Sequence, residues 1–322
     1  MLSFATLAMM AVLSTEADAN AALSARTLTQ PVVTQDLQAN ESIRLEDIEV
    51  TGRPLTTLID TFVAEVAAPA GRRNLARWDE PICVAVVNLQ DAPAQYIADR
   101  VYAVGADLGL CRGGRDCQPN VVIVASDEPD TLAQTMTARV PRSFRPGGSG
   151  MDRGNGALEA FKQSDDAVRW WTVSMPVDSM TGQRASRIPG ECSGNCSVAG
   201  QFAPNIFMLA SRVTTQIVDE IVKTVVILDI DKVAEVSSQQ LVDYISMVVF
   251  AQIDPRADTS TYSSILNVFD TPYDATGLTQ WDRAYLEGLY QAQRAQRGPA
   301  AARDEIANSI RRAHTRLSSV EE

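Results

Sequence analysis

Three carboxylates gather along one stretch of this chain. Asp229 and Asp231 flank Ile230 where a β-branched run ends, and Asp243 follows on the next segment. Acidic side chains that leave one strand end together can share a proton or hold a divalent cation, which is the chemistry of a carboxylate- or metal-dependent hydrolase. The same Asp-x-Asp-Lys spacing also serves turns, with Asp229 capping the next segment and Lys232 offsetting its charge, and this is the reading we favour. Arg112-Gly113-Gly114-Arg115 has the composition of an anion-binding loop. It lies between Cys111 and Cys117, however, and reads more simply as a disulfide-bounded turn. Asp127-Glu128 sits where an N-cap is needed ahead of Pro129.

Imidazole is nearly missing: His314 is the only histidine in 322 residues. This removes zinc sites that need two or three imidazoles, and it removes Ser-His-Asp and Cys-His catalysis unless that one side chain is recruited. No Gly-x-Ser-x-Gly elbow, Ser-x-x-Lys pair or Gly-x-x-x-x-Gly-Lys loop is present either. No metal or other cofactor is expected. The net charge of −12 argues against nucleic acid and anionic membrane as partners. Arg303, Arg311, Arg312 and Arg316 near the end, with His314 among them, read as a solvated helix face.

Residues 1–19 have an apolar run followed by Ala17-Asp18-Ala19, the small-x-small pattern of a signal-peptide cleavage site. Export to the periplasm or beyond is therefore expected, with no membrane span after cleavage. Five cysteines agree with an oxidising compartment: Cys192 and Cys196 can staple a loop, and Cys83 can pair with Cys117 or with Cys111. A content of 45% hydrophobic residues, with four Trp, eight Phe and seven Tyr, is ample for a core.

The elements that must position these residues follow from periodicity. Residues 20–54 read as a flexible N-terminal segment, and Leu55 to Val66 as a helix with one apolar face. Ile82–Leu89 and Asn120–Ala125 read as strands, Pro93–Leu108 and Pro129–Arg139 as helices, together a small βαβα unit within an α/β domain over 55–140. Pro141 to Gly156 and Pro176 to Pro204 read as long loops, the natural place for a lid or partner surface. Between them Val168–Met175 reads as a strand whose adjacent Trp170 and Trp171 point to opposite faces, one of them exposed. Trp170, Trp171 and Arg187 are the candidate binding residues. Ile206–Val213 and Ile221–Ile230 read as a hairpin joined by the polar Thr214–Glu220 stretch. Ser237 and Gln240 have capping-box spacing ahead of a helix that is apolar nearly all round and therefore buried between layers. Thr279 and Asp282 cap another helix, and residues 300–322 form a peripheral C-terminal one.

Over Ile206 to Ala292 the chain resembles a family of secreted bacterial domains of unknown function with zincin-like architecture. The resemblance rests on a hairpin, a central helix, the turn Ser264-Ile265-Leu266-Asn267-Val268-Phe269-Asp270, and the helix pattern from Leu278 to Tyr290. It implies an α+β fold in which the βαβα unit is followed by a zincin-like hairpin-plus-helices domain over 141–299. In that family the central helix carries a His-Glu metal pair; here Leu241 to Gln252 contain neither residue. The resemblance thus implies a scaffold kept without its metal chemistry. Ile48-Glu49-Val50-Thr51-Gly52-Arg53 is similar to the docking phrase of TonB-dependent receptors, which implies strand addition to an envelope protein. The resulting expectation is an exported envelope protein that recognises a protein or peptide partner without catalysis, with a hydrolase or a TonB-linked accessory as alternatives.

Overall fold

Val222 to Leu228 is a run of seven residues in which only Lys223 and Thr224 are polar, and it becomes the middle of the molecule. In a computed structural model that describes residues 53–69, 73–147, 151–185, 211, 214–296 and 298–321, this run lies in β4 (Ile217–Asp229). β4 pairs on one side with β2 (Val121–Ser126), parallel, Val121 opposite Thr224, and on the other with β3 (Val168–Asp178), antiparallel, Val168 opposite Leu228. β1 (Val84–Val87) extends the sheet beyond β2 in parallel, so the order is β1-β2-β4-β3 and β3 is an edge strand. Helices and a small mixed four-stranded sheet make the chain α+β.

Both faces of the sheet are covered, which explains why β4 does not alternate cleanly between apolar and polar residues. One face carries α2 (Asp91–Asp107) and α6 (Ser238–Phe250), with Ile97, Val101, Ile245, Val248 and Val249 against Ile123, Val226 and Leu228. The other carries α3 (Pro129–Arg139), the single turn α4 (Pro141–Phe144) and α5 (Gly154–Gln163), whose Ala133, Phe144 and Phe161 meet Trp171, Val173, Val225 and Ile227. Trp170 and Trp171 do point to opposite faces. Neither is exposed, contrary to expectation, because each face has its own helical layer: Trp170 is 6% and Trp171 3% accessible.

α6 is buried on nearly every side, and its start is fixed by the capping box expected from sequence: Ser237 Oγ accepts from the Gln240 N–H, and Gln240 Oε1 accepts from the Ser237 N–H. Outside α6 lie α1 (Leu55–Glu65), α7 (Gln280–Gln291) and α8 (Pro299–Glu321). α7 begins at the Thr279–Asp282 capping box. Its last carbonyls, of Leu289, Tyr290 and Ala292, accept from the Arg77 guanidinium, which supplies the positive charge that a helix C-terminus favours. α8 is no peripheral helix: Ile306, Ala307, Ile310 and Ala313 are buried in the main core. Gly288 is what allows α8 so close, since a Cβ there would sit 2.5 Å from Ile310 Cα.

Several expectations need correction. β4 starts at Ile217 and takes β2 and β3 as neighbours, so Thr214–Glu220 is no hairpin turn; of the expected first hairpin strand, only Ser211 lies among the described residues. Part of the presumed loop before β3 is helical, as α4 and the start of α5. The division at residue 140/141 falls between strands of one sheet, and residues 52–322 form one compact unit. The expected leader 1–19, most of segment 20–54 including the TonB-like phrase up to Gly52, Arg187, and the Cys192/Cys196 pair lie outside the described residues. No helix among the described residues is long and apolar enough to cross a membrane.

Two helix glycines should respond to alanine with opposite signs. Gly288→Ala forces the α7 and α8 backbones apart and is expected to destabilise by about 2 kcal/mol, more than its helix-propensity gain. Gly156→Ala in α5 meets open space and is expected to stabilise by about 0.5–1 kcal/mol. Urea unfolding of the two variants checks both signs.

Candidate functional site

Two of the three candidate carboxylates, Asp229 and Asp243, are committed to holding structure, while Asp231 is exposed and engages only through its backbone N–H. Asp229 Oδ1 accepts from the N–H groups of Asp231 (3.2 Å) and Lys232 (3.4 Å), with Lys232 Nζ at 3.7 Å from Oδ2, which is the turn role preferred from sequence. Asp243, 1% accessible, joins three elements: Oδ1 accepts from Arg100 Nε of α2 at 2.6 Å, and Oδ2 accepts from Gln239 Nε2 (2.9 Å) and from the Leu278 N–H (2.8 Å). Gly277 makes room for that contact, since a Cβ there would lie 2.5 Å from Oδ2. Among the described residues no three His, Cys, Asp or Glu side chains are grouped so as to hold a metal ion. Asp282, fully buried, is likewise structural. It accepts from Ser264 Oγ, from Thr279 Oγ1 and from the N–H groups of Ile265 and Thr279; burial pushes its pKa up against these bonds.

Cys83 is bonded to Cys117 and Cys111 is an exposed free thiol, which resolves the sequence alternative. Asn120 sits beside this cross-link, its Oδ1 accepting from the Cys83 N–H. The Arg112 guanidinium lies over the Tyr102 ring, 4.1 Å from the centroid. The C-terminal arginines pair with acids: Arg311 with Asp60, Arg312 with Glu305, Arg316 with Glu287. His314 faces Ser318 one turn on, with Nδ1 3.4 Å from Oγ.

A cleft of about 370 Å³ runs beside β3, within the roughly 300–1,000 Å³ range of ligand sites. Its floor is the β3 stretch from Arg169 to Thr172, one wall is α5 with Ala157, Ala160 and Phe161, and the other is the segment Gln252–Arg256 with Ala68. Local bonds hold that second wall. Gln252, 4% accessible, accepts at Oε1 from the Ala76 N–H and at its carbonyl from the Ala68 N–H, both at 2.7 Å. The Trp170 indole N–H donates to the Ile253 carbonyl at 3.2 Å, and that of Trp171 to the Phe144 carbonyl at 2.8 Å. The two tryptophans singled out from sequence line this cleft as its rigid floor. Arg169, 3% accessible, donates from one terminal nitrogen to Asp130 Oδ1 at 2.6 Å, while its Nε is buried without a partner. Thr172 Oγ1 is also buried and unpartnered.

The cleft ends differ in charge. At one end Arg153 donates to Asp254 Oδ2 (2.7 Å) and Arg256 Nε lies 3.6 Å from Oδ1, so two guanidiniums share one carboxylate. Burial alone would raise the Asp254 pKa; the Arg153 bond, the Arg256 N–H and the two positive charges outweigh it and hold the group below its ordinary value of 3.8. At the other end Asp165 and Asp166 precede β3. Asp165 pairs with Lys232, whose hydrogen bond and charge lower its pKa, and Asp166 accepts from Ser164 Oγ. Arg153, Arg256, Asp165 and Asp166 were missed in the sequence because they come from three separate segments that only the fold brings to one cleft.

The chain matches no family model, no curated protein and no solved structure.

A depressed carboxylate pKa contributes stability above the unfolded value, and this contribution is lost as pH falls through the folded value. Asp254→Asn is therefore expected to lose about 1 kcal/mol at neutral pH, a partly exposed ion pair's worth. The difference from the parent should shrink as pH falls below 3.8 and vanish once the still lower folded value is passed; denaturant titrations across that range test it, and a gap that never narrows in acid would refute the ion-pair account.

Proposed function

We propose that this protein works by non-catalytic recognition and that the cleft beside β3 is where it binds. One observation carries this reading: a preformed cavity with an aromatic and aliphatic lining, a few charged groups at its rim, and a floor made by the edge of a sheet. Rigid apolar walls with sparse, oriented polar groups are the usual form of a binding site. Asp229 and Asp243, two of the three carboxylates that a hydrolase would use, are engaged in a turn and in helix contacts.

The wider setting of the proposal is the bacterial envelope, in the periplasm or outside the cell, with a protein or peptide as partner. A disulfide and a signal-like N-terminus support an oxidising compartment. We read the scaffold as a degenerate metalloprotease-like one on the strength of the Ser264–Asp270 and Leu278–Tyr290 patterns and of an α6 without imidazole. In the fold these two patterns correspond to a Ser264-capped 3-10 turn and to α7.

Selection of random heptapeptides against the full chain tests the reading. Selected peptides are expected to bind the Asp229→Asn variant unchanged and to bind Ala160→Arg, which fills the cleft from the exposed side of α5, about tenfold or more weakly. Failure to select any binder, or binding indifferent to Ala160→Arg, would reject recognition at this cleft.

A further inference from the structure

Among the described residues, β3 is covered along only part of its outer edge. The Ser174 N–H donates to the Met151 carbonyl (2.9 Å), the Asp178 N–H donates to the Gln183 carbonyl (2.8 Å), and the Pro176 carbonyl accepts from the Ala185 N–H (2.7 Å). On the inner side the Ala167 carbonyl accepts from the Asp229 N–H of β4. Even-numbered residues of β3 thus turn their backbone groups outward and odd-numbered ones inward, as pairing to a single neighbour requires. The irregularity of the β3–β4 register skips Val222 in β4, so the alternation along β3 itself is unbroken. Trp170 and Thr172 therefore direct their N–H and C=O groups at the cleft, and among the described residues no backbone group pairs with them there.

An open sheet edge inside a walled cleft is a template for one more strand. Two donors and two acceptors at Trp170 and Thr172 engage about three residues of a strand at roughly 3.3 Å per residue. A residue more on each side reaches the charged ends. Asp165 and Asp166 lie where β3 begins, and Arg153 and Arg256 lie toward Ser174, because Arg153 follows the Met151 that caps Ser174 and Arg256 shares Asp254 with it. At the first end Asp165 and Asp166 stand with Lys232, shared with Asp229, and with Arg169, paired to Asp130, which leaves an acidic excess; at the other two guanidiniums share Asp254, which leaves a basic one, so the cleft is dipolar along its length.

We propose that the cleft binds a short free peptide in extended form as a fifth strand parallel to β3, its amino terminus at Asp165 and Asp166 and its carboxylate at Arg153 and Arg256. This rests on the recognition reading above and adds to it the ligand's chemical class and direction. Side chains are read weakly in such a mode: successive residues alternate between the α5 wall with Ala157 and Phe161 and the opposite wall with Ile253. Main-chain bonds and the two termini carry the binding, so a broad set of small, uncharged peptides fits.

The test uses the full chain and the pentapeptide Ala-Val-Thr-Val-Ala with free ends, titrated calorimetrically beside its N-acetylated form, its C-amidated form and a form N-methylated at the central amide. Blocking either end is expected to weaken binding about fivefold, the worth of one exposed ion pair. N-methylation should weaken it by about as much or more. Thr172→Pro, which removes an outward N–H at an edge position where proline is tolerated, should abolish binding while the melting transition persists; the N-methyl peptide makes the same cut should that variant fail to fold. Arg256→Ala should reduce the penalty for C-amidation, with Arg153 still present, and leave that for N-acetylation unchanged. Equal affinity of the free and blocked peptides, or of the methylated one, would overturn the strand model. Were selected heptapeptides still to depend on Ala160→Arg, recognition at the cleft would stand without it; loss of both would reject the two together.

Discussion

Backbone amides and carbonyls taken out of water need partners, and on the outer edge of β3 the described residues meet that need only in part. From Ser174 onward the edge is closed by Met151 and by the returning 183–185 segment. Before it, at Trp170 and Thr172, the walls stand back and leave a cavity. Free sheet edges are usually blunted by charge, proline or a covering element. Here Pro176 lies in the closed half, and in the open half Arg169 is buried against Asp130 while the other charges stand at the two ends. An edge managed in this way is kept from indiscriminate pairing yet remains able to accept one short strand.

The rest of the fold serves to keep that edge in place. β4 is held on both sides by neighbours, and β3 is bolted to it by a tryptophan on each face, Trp170 into the α6 layer and Trp171 into the α4–α5 layer. The Trp170 indole donates to the wall carbonyl of Ile253 and that of Trp171 to the Phe144 carbonyl of α4, so the floor is tied both to one wall and to the helical layer behind it. α6 in turn is pinned to α2 and to the turn before α7 through Asp243, a carboxylate that would be costly to bury without its three donors. Arg77 extends the same logic. Its guanidinium caps α7, and burial with the nearby Arg294 charge lowers its pKa to about 10. A rigid support of this kind reduces the ordering cost of binding, which is what a small cleft of modest contact area requires.

Much of the fold was legible in the sequence where a local rule acts alone. The capping boxes at Ser237 and Thr279, the βαβα order, and the buried character of α6 all follow from spacing that no distant contact alters. Tertiary context overrode the rest. Ile217–Glu220 looks too polar for a strand, yet Asp219 and Glu220 are carried into β4 by Arg73 and Arg294. α5 hides behind Gly154-Asn155-Gly156 and shows only Phe161 as its buried residue, so its period is faint. α8 has a thin apolar stripe that became core because Gly288 lets it approach α7. The paired tryptophans read from sequence line the cleft, but its charged ends could not be read, since Arg153, Asp165 and Arg256 signal nothing until β3 and the 252–256 segment are side by side.

Amide hydrogen exchange, residue by residue along β3 in the free protein, tests the central claim most directly. Ser174 and Asp178 should be strongly protected, and Trp170 and Thr172 should exchange at least about tenfold faster, since exchange reports local opening and unpaired amides need none. Protection of Trp170 and Thr172 equal to that of Ser174 would mean the edge is already closed, and the account of the cleft would be wrong.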